Sequence, residues 1–104
     1  MPYTDAPAPE VIDLGAVLGA LADPLRRSVV LDLLGRDDTE HACSSFDLPL
    51  AKSTRTYHWR VLRQAGLVHQ RDAGNGSYVR LRRDDLAARF PGLLDTIRRA
   101  AHQV

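Results

Sequence analysis

The chain of 104 residues has a single cysteine, Cys43, so it cannot close an internal disulfide. That usage fits a reducing, intracellular setting and excludes any site that needs several thiolates from one chain. No apolar run approaches the roughly 20 residues of a membrane helix, so no membrane partner is expected. The opening MPYTDAPAPEV has neither a basic n-region nor an apolar h-region, unlike a secretory signal. There is no P-loop, no GxGxxG, no internal repeat and no low-complexity tract. Ser44, Ser45, His41 and Asp47 could be arranged into a nucleophilic site. They crowd one short segment, however, with no glycine-rich oxyanion loop or strained elbow. An enzyme is therefore not expected, nor is a cofactor. Lysine is nearly absent, one against 13 arginines, which reads as genome base composition rather than chemistry.

What is present is the balance of one globular domain, 26% charged and 44% hydrophobic, with net charge +1. That small net charge hides an asymmetry. Residues 1–50 carry nine acidic and three basic side chains; residues 51–104 carry eleven basic and four acidic. Within 51–83 the count is eight basic against one acidic. Such a split suggests that one half faces a polyanion, the alternative being a solvated basic face on a dipolar molecule.

Residues 1–10 hold three prolines and read as a flexible N-terminal arm. Residues 11–104 read as one domain. Val11, Leu14, Leu18 and Leu21 recur at steps of three and four, predicting an amphipathic helix over 11–22. Asp23-Pro24 caps a second helix, with Leu25, Val29, Val30, Leu33 and Leu34 as its stripe and Gly35 as its stop. Thr39–Ser45 reads as a short third helix, broken by Asp47-Leu48-Pro49. Ser53 then caps a helix over 54–64, which Gly66 ends. Leu67–Arg71 and Tyr78–Arg82 alternate in period two around an Asn75-Gly76 step, predicting a hairpin. Asp84 or Asp85 caps a further helix, interrupted at Phe90-Pro91, and Leu93, Leu94 and Ile97 supply a last helical piece. The fold class expected is mainly α with a two-stranded β-hairpin. A basic helix just ahead of a basic hairpin is the order of a winged helix-turn-helix.

On a wheel of the 54–64 helix, Trp59 and Leu62 share the core side, with His58 and Ala65 nearby. Thr56, Tyr57 and Arg60 take the opposite side, Thr54, Arg63 and Gln64 the edges, and Lys52 and Ser53 the N-terminal end. A helix entering a major groove needs this division, with hydroxyls, guanidinium forks and a helix N-terminus facing bases and phosphates. The plainer reading is an exposed polar face. In the hairpin, alternation turns Val79 and Leu81 inward and Tyr78, Arg80 and Arg82 outward, with Arg71 and Arg83 alongside and Asn75 at the tip. A basic wing over a phosphate backbone explains that pattern; an edge hairpin guarded by charge is the alternative.

LADPLRRSVVLDLLG, then STRTYHWRVLRQAGLV, then a Gly-Asn-Gly hairpin, resembles the ArsR family of bacterial winged-helix regulators over about residues 13–95. The most specific pieces are L-x-D-P-L-R-R and the His58–Val68 run, H-x-x-V-L-R-x-A-G-L-V. The resemblance implies a homodimeric, cytoplasmic bacterial repressor that leaves double-stranded DNA when an effector binds. Position by position it assigns Lys52, Ser53, Thr54, Thr56, Tyr57 and Arg60 to the DNA-reading helix. His58 falls on the family's recurrent histidine, read as a packing or phosphate-contacting group. Arg55 departs from the pattern, standing where the family usually has an aliphatic core residue.

The effector side departs further. Metal-sensing members of the arsenic type carry a Cys-x-Cys pair where this chain reads Glu40-His41-Ala42-Cys43. Asp95 and His102 are only two of the ligands that a last-helix zinc or nickel site would need. No metal site is assigned, although a composite of His41, Cys43 and a partner-chain residue stays open. Cys43 is otherwise a small core hydrophobe or a redox thiol.

The DNA-binding set expected is therefore Lys52, Ser53, Thr54, Thr56, Tyr57, Arg60, Arg63, Arg71, Asn75, Arg80 and Arg82. Surplus apolar surface on the first and last helices points to a two-fold interface through Val11, Leu14, Leu18, Leu93, Leu94 and Ile97, unless these finish the monomer core. Symmetry would set two reading helices roughly 34 Å apart on a pseudo-palindromic operator. The expected partners are DNA, a second copy of the chain and an unspecified small-molecule effector. The competing function is a dimeric winged-helix module that binds a protein instead of specific DNA.

Overall fold

The computed structural model describes residues 6–102, so residues 1–5 of the expected arm lie outside the described residues. Pro9–Val11 form a short 3-10 turn, and the first helix, α1, covers Leu14–Ala22 rather than 11–22. Asp13 sets that start. Its carboxylate accepts from the Ala16 N–H at 2.9 Å, which makes it a cap instead of a helix-interior residue. Ile12, just ahead of the cap, turns into the core at 1% exposure. Val17, Ala20 and Leu21 face inward, while Val11, Leu14 and Leu18 stay 65%, 44% and 49% exposed. The apolar arc of this segment is thus shared between the core and a second surface.

Helix α2 covers Pro24–Gly35 and opens as its sequence predicts. The Asp23 carboxylate accepts from Leu25 N–H at 2.8 Å and Arg26 N–H at 3.1 Å, and Pro24 fills the first helical position. Its end corrects the expectation for Gly35, which takes no left-handed conformation. The final carbonyls are met from elsewhere: Arg83 donates to Leu33 O at 2.8 Å and to Arg36 O at 2.9 Å.

The expected helix over 39–45 is absent. His41–Ala42 form a strand, β1, and Cys43–Ser45 a 3-10 turn. The segment holds Ser, Cys and His, which favour a helix weakly, and the hairpin beside it offers an edge of unpaired backbone groups. The edge wins. Strand β2 covers Val68–Asp72 and β3 covers Ser77–Leu81, and the sheet has three strands in the order β1-β3-β2, all antiparallel. The register pairs Val68 with Leu81 and Gln70 with Val79 on one face, and His69 with Arg80 and Arg71 with Tyr78 on the other. The turn spans residues 73–76; Ala73 N–H donates to Gly76 O at 2.8 Å, and the left-handed residue is Gly74 rather than Gly76.

Helix α3 covers Lys52–Gln64, two residues longer than expected at its start, with Ala51 at the cap and Ser53 inside the first turn. Gly66, at φ +90°, ends it as expected and launches β2. Helices α4 (Arg83–Arg89) and α5 (Leu93–Ala101) follow, with Asp84 and Asp85 in the first turn of α4 and not at its cap. Val17, Val30, Leu62, Leu67, Val68, Val79 and Leu86 are fully enclosed, so every layer from α1 to α4 meets in one core. Leu93, Leu94 and Ile97 are half-buried and pack against that core.

Candidate nucleic-acid interface

Helix α3 divides as a groove-reading helix must. Trp59 and Leu62 are buried at 6% and 1% exposure, while Lys52, Ser53, Thr54, Thr56, Tyr57 and Arg60 are all exposed. The Arg60 guanidinium lies 5.8 Å from the Tyr57 ring centroid, so a cation and a hydroxyl-bearing ring share one patch. Ala51 offers no capping side chain, which leaves the first-turn N–H groups of α3 pointing outward without a side-chain acceptor.

His58 fixes how this helix sits. Its Nδ1 lies 3.2 Å from an Arg26 guanidinium nitrogen. Arginine can only donate, so Nδ1 accepts and the neutral ring carries its proton on Nε2. The same guanidinium donates to Ala20 O at 2.8 Å. One arginine of α2 therefore ties the end of α1 to the middle of α3. The Asp23 carboxyl beside it is held below the usual carboxylate range, chiefly by the Arg26 N–H, against an opposing desolvation. Arg55, where the family pattern has an aliphatic residue, turns back to donate to Leu50 O and braces the loop ahead of α3.

The wing carries fewer outward cations than its sequence suggests. Arg80 is exposed, with Asp38 at 3.4 Å. Arg71 is half-buried, held by two bonds to Glu40 at 2.9 and 3.0 Å and set over the Tyr78 ring at 5.0 Å. Arg82 corrects the alternation. It stands just past the end of β3, where the chain leaves the sheet for α4; its side chain is buried and pairs with Asp85 at 2.9 Å. An outward, DNA-facing Arg82 is thus overturned by the strand ending one residue early. Arg63 is half-buried and donates to Gln70 Oε1 at 2.6 Å, joining α3 to β2. Asn75 is exposed at the tip. Sequence reasoning missed that Glu40 and Asp38 would claim two wing arginines, because β1 was read as helix. Burial first, then the charges of Arg82 and Arg80, push the His69 imidazole down on the outer face of the sheet.

On the effector side, the His41 ring binds Asp37 O at 3.0 Å. Burial pushes the Cys43 thiol up to about 12, which disfavours the thiolate there. Asp95 is engaged by Arg98 and Arg99 at 2.7 and 3.0 Å. Among the described residues, no three His, Cys, Asp or Glu side chains gather as a metal ligand set, and no helix is long and apolar enough to cross a membrane.

A polar-faced helix braced from behind by α2, followed by a three-stranded antiparallel sheet, defines a winged helix-turn-helix fold. No family model matches the chain. A curated relative described as an uncharacterized HTH-type transcriptional regulator, YceK of Bacillus subtilis (strain 168), is 40% identical over 48 residues. That match takes in 46% of this chain and 48% of the relative, so the similarity spans about half the length of each. Among solved structures, one titled a possible transcriptional regulator for arsenical resistance is 30% identical with TM-score 0.58, over 84% of this chain and 94% of that one. An ArsR-like transcriptional regulator from Rhodococcus sp. RHA1 shares the fold at TM-score 0.54 and 23% identity, over 86% and 90% of the two chains. A crystallised ArsR family transcriptional regulator does so at TM-score 0.62 and 22% identity, over 95% and 99%. The chain belongs to the ArsR family of transcriptional regulators.

Proposed function

We propose that the protein is a homodimeric repressor that reads a pseudo-palindromic operator with α3 in the major groove. The observation that carries this reading is the clean division of α3: six polar side chains from Lys52 to Arg60 stand exposed over a buried Trp59 and Leu62. Thr54, Thr56, Tyr57 and Arg60 read base edges, while Lys52, Ser53 and Arg80 hold phosphates, with Asn75 at the wing tip. Arg63 and Arg71 position the helix and the wing through Gln70 and Glu40. The exposed Val11, Leu14 and Leu18 supply the centre of the two-fold interface, with Leu93, Leu94 and Ile97 at its border.

The test is an anisotropy titration of the purified protein against the DNA upstream of its own gene, with random competitor and at two salt concentrations. Competitor-resistant binding with a salt-dependent affinity is the expected result. Binding that is equal for all sequences would reject the operator reading and favour a protein partner for this surface.

A further inference from the structure

The polar face of α3 can read a groove only if the helix is held at one depth and one roll, and a single side chain joins the three helices that set both. Each nitrogen of the Arg26 guanidinium, on α2, has a separate use. Nε donates to Ala20 O at 2.8 Å and a second nitrogen reaches Gly19 O at 3.5 Å, both near the end of α1. The third lies 3.2 Å from His58 Nδ1, in the middle of α3. Arg27, next along α2, turns instead to Leu21 O at 2.8 Å.

This contact exists in one protonation state of the imidazole. An arginine N–H can only donate, so Nδ1 must keep its lone pair. A proton there removes the acceptor and leaves two cations 3.2 Å apart. The surrounding groups do not replace what is lost. Helix α1 carries no titratable side chain. Helix α2 brings Arg26 and, at its cap, Asp23, whose carboxyl feels the charge of both Arg26 and His58. Asp23 attracts a protonated ring, but its carboxylate already accepts from the Leu25 and Arg26 N–H groups. Drawing the ring onto it would part α3 from Arg26 and disturb the start of α2. Helix α3 itself brings the Tyr57 ring, edge to face at 5.6 Å. Strand β2 meets α3 further along, where Arg63 holds Gln70.

We propose that His58 is a positioning residue for DNA reading and also its acid switch: the neutral ring, held by Arg26, seats α3, and protonation unseats the helix and releases the operator. The proposal rests on the operator reading given above. Two plainer roles make different demands. A packing group needs no acceptor at Nδ1, and a phosphate contact is strengthened by a proton, not broken.

Two variants of the full-length protein test this. His58→Asn sets a non-titrating amide oxygen near the place of Nδ1, and His58→Leu keeps the bulk without an acceptor. Each is titrated against operator and random DNA at constant salt, at about pH 7.5 and about pH 5.5, the span in which imidazole changes charge. His41, His69 and His102 are common to all three proteins, so the differences isolate His58. The unmodified protein should lose about tenfold or more in operator affinity at the lower pH, the scale of one charge-assisted hydrogen bond. His58→Asn should bind nearly as well at the higher pH and should lose little in acid. His58→Leu should be about tenfold weaker already at the higher pH. Affinity of the unmodified protein that rises in acid would assign His58 to a phosphate and overturn the proposal. An acid loss shared by His58→Asn would place the titration elsewhere, and a His58→Leu protein equal to the unmodified one would leave packing alone; either overturns it. Nitrogen NMR of the His58 ring without DNA checks the contact itself: the proton should sit on Nε2, and an Nδ1–H tautomer would overturn the brace. An unmodified protein with no sequence preference at either pH would reject the operator reading and the positioning role with it, while the NMR result would still report whether Arg26 and His58 are joined.

Discussion

Replacing Gly66 by alanine tests how the reading helix is held to the wing. Gly66 ends α3 at φ +90° and is followed within two residues by β2, so its conformation sets the angle between the two elements. Two separate costs are expected. Left-handed backbone costs an L-residue roughly 1–2 kcal/mol. A Cβ built here would also lie 2.8 Å from Ile12 Cγ1 and 3.1 Å from both Cδ1 and Cγ2, and Ile12 is 1% exposed and cannot swing aside. Overpacking of that kind costs about 1–3 kcal/mol. The sum, about 2–5 kcal/mol, is a large share of the roughly 5–15 kcal/mol that holds a domain folded. Gly74 provides the control: it has φ +75° but nothing within 4 Å of an added Cβ, so Gly74→Ala carries the backbone cost alone. Urea unfolding followed by Trp59 emission, at one fixed protein concentration, should rank Gly66→Ala below Gly74→Ala by about 1–3 kcal/mol. Equal losses in the two variants would refute the contact with Ile12. No loss in either would refute the strain argument itself.

Arg60→Ala should weaken operator binding by about 1–3 kcal/mol and relax sequence preference, whereas Arg80→Ala should weaken all sequences alike; competition titrations with operator and random DNA separate the two. Leu18→Glu should yield a folded monomer in sedimentation velocity with depressed operator affinity, because that side chain is 49% exposed in the protomer. A Leu18→Glu protein that remains dimeric would move the interface elsewhere. The Glu40 carboxyl is held below its ordinary 4.5 chiefly by the Arg71 bond. Its stabilising effect is therefore complete above that value and is lost as pH falls through the lower, folded-state value. Thermal melts should show a wild-type advantage over Glu40→Gln at neutral pH that shrinks and disappears in acid.

Much of the fold was legible because its signals are local. Asp23-Pro24, Gly66 and the alternation of Val79 and Leu81 each act within a few residues, and the elements follow them. The α3 face was legible for the same reason: a period of 3.6 with Trp59 and Leu62 on one side permits one orientation. What was not legible depended on residues distant in sequence. His41–Ala42 became a strand because β3 offered an edge, and that edge exists only once the hairpin has formed. Gly35 was read as a stop because no local signal tells that Arg83, about 50 residues on, serves the same carbonyls.

The same distinction bears on charge, and it yields a number that titration can check. Eight basic residues against one acidic within 51–83 suggest a broad cationic footprint. The fold turns most of them inward: Arg55 to Leu50 O, Arg63 to Gln70, Arg71 to Glu40, Arg82 to Asp85 and Arg83 to the end of α2. Lys52, Arg60 and Arg80 remain exposed. Counting Arg60, which reads a base edge, as displacing counterions along with the phosphate-facing Lys52 and Arg80, three exposed cations per protomer make about six in a dimer, and at about 0.9 per neutralised phosphate the slope of log affinity on log salt should be near −5. Were all eight engaged in each protomer, the slope would be near −14. A measured slope steeper than about −10 would mean that the inward arginines leave their partners on binding, and the rigid wing assumed throughout would be wrong. A slope near −5 would mean that their work is architectural, holding the reading helix and wing in the arrangement that three exposed cations then use.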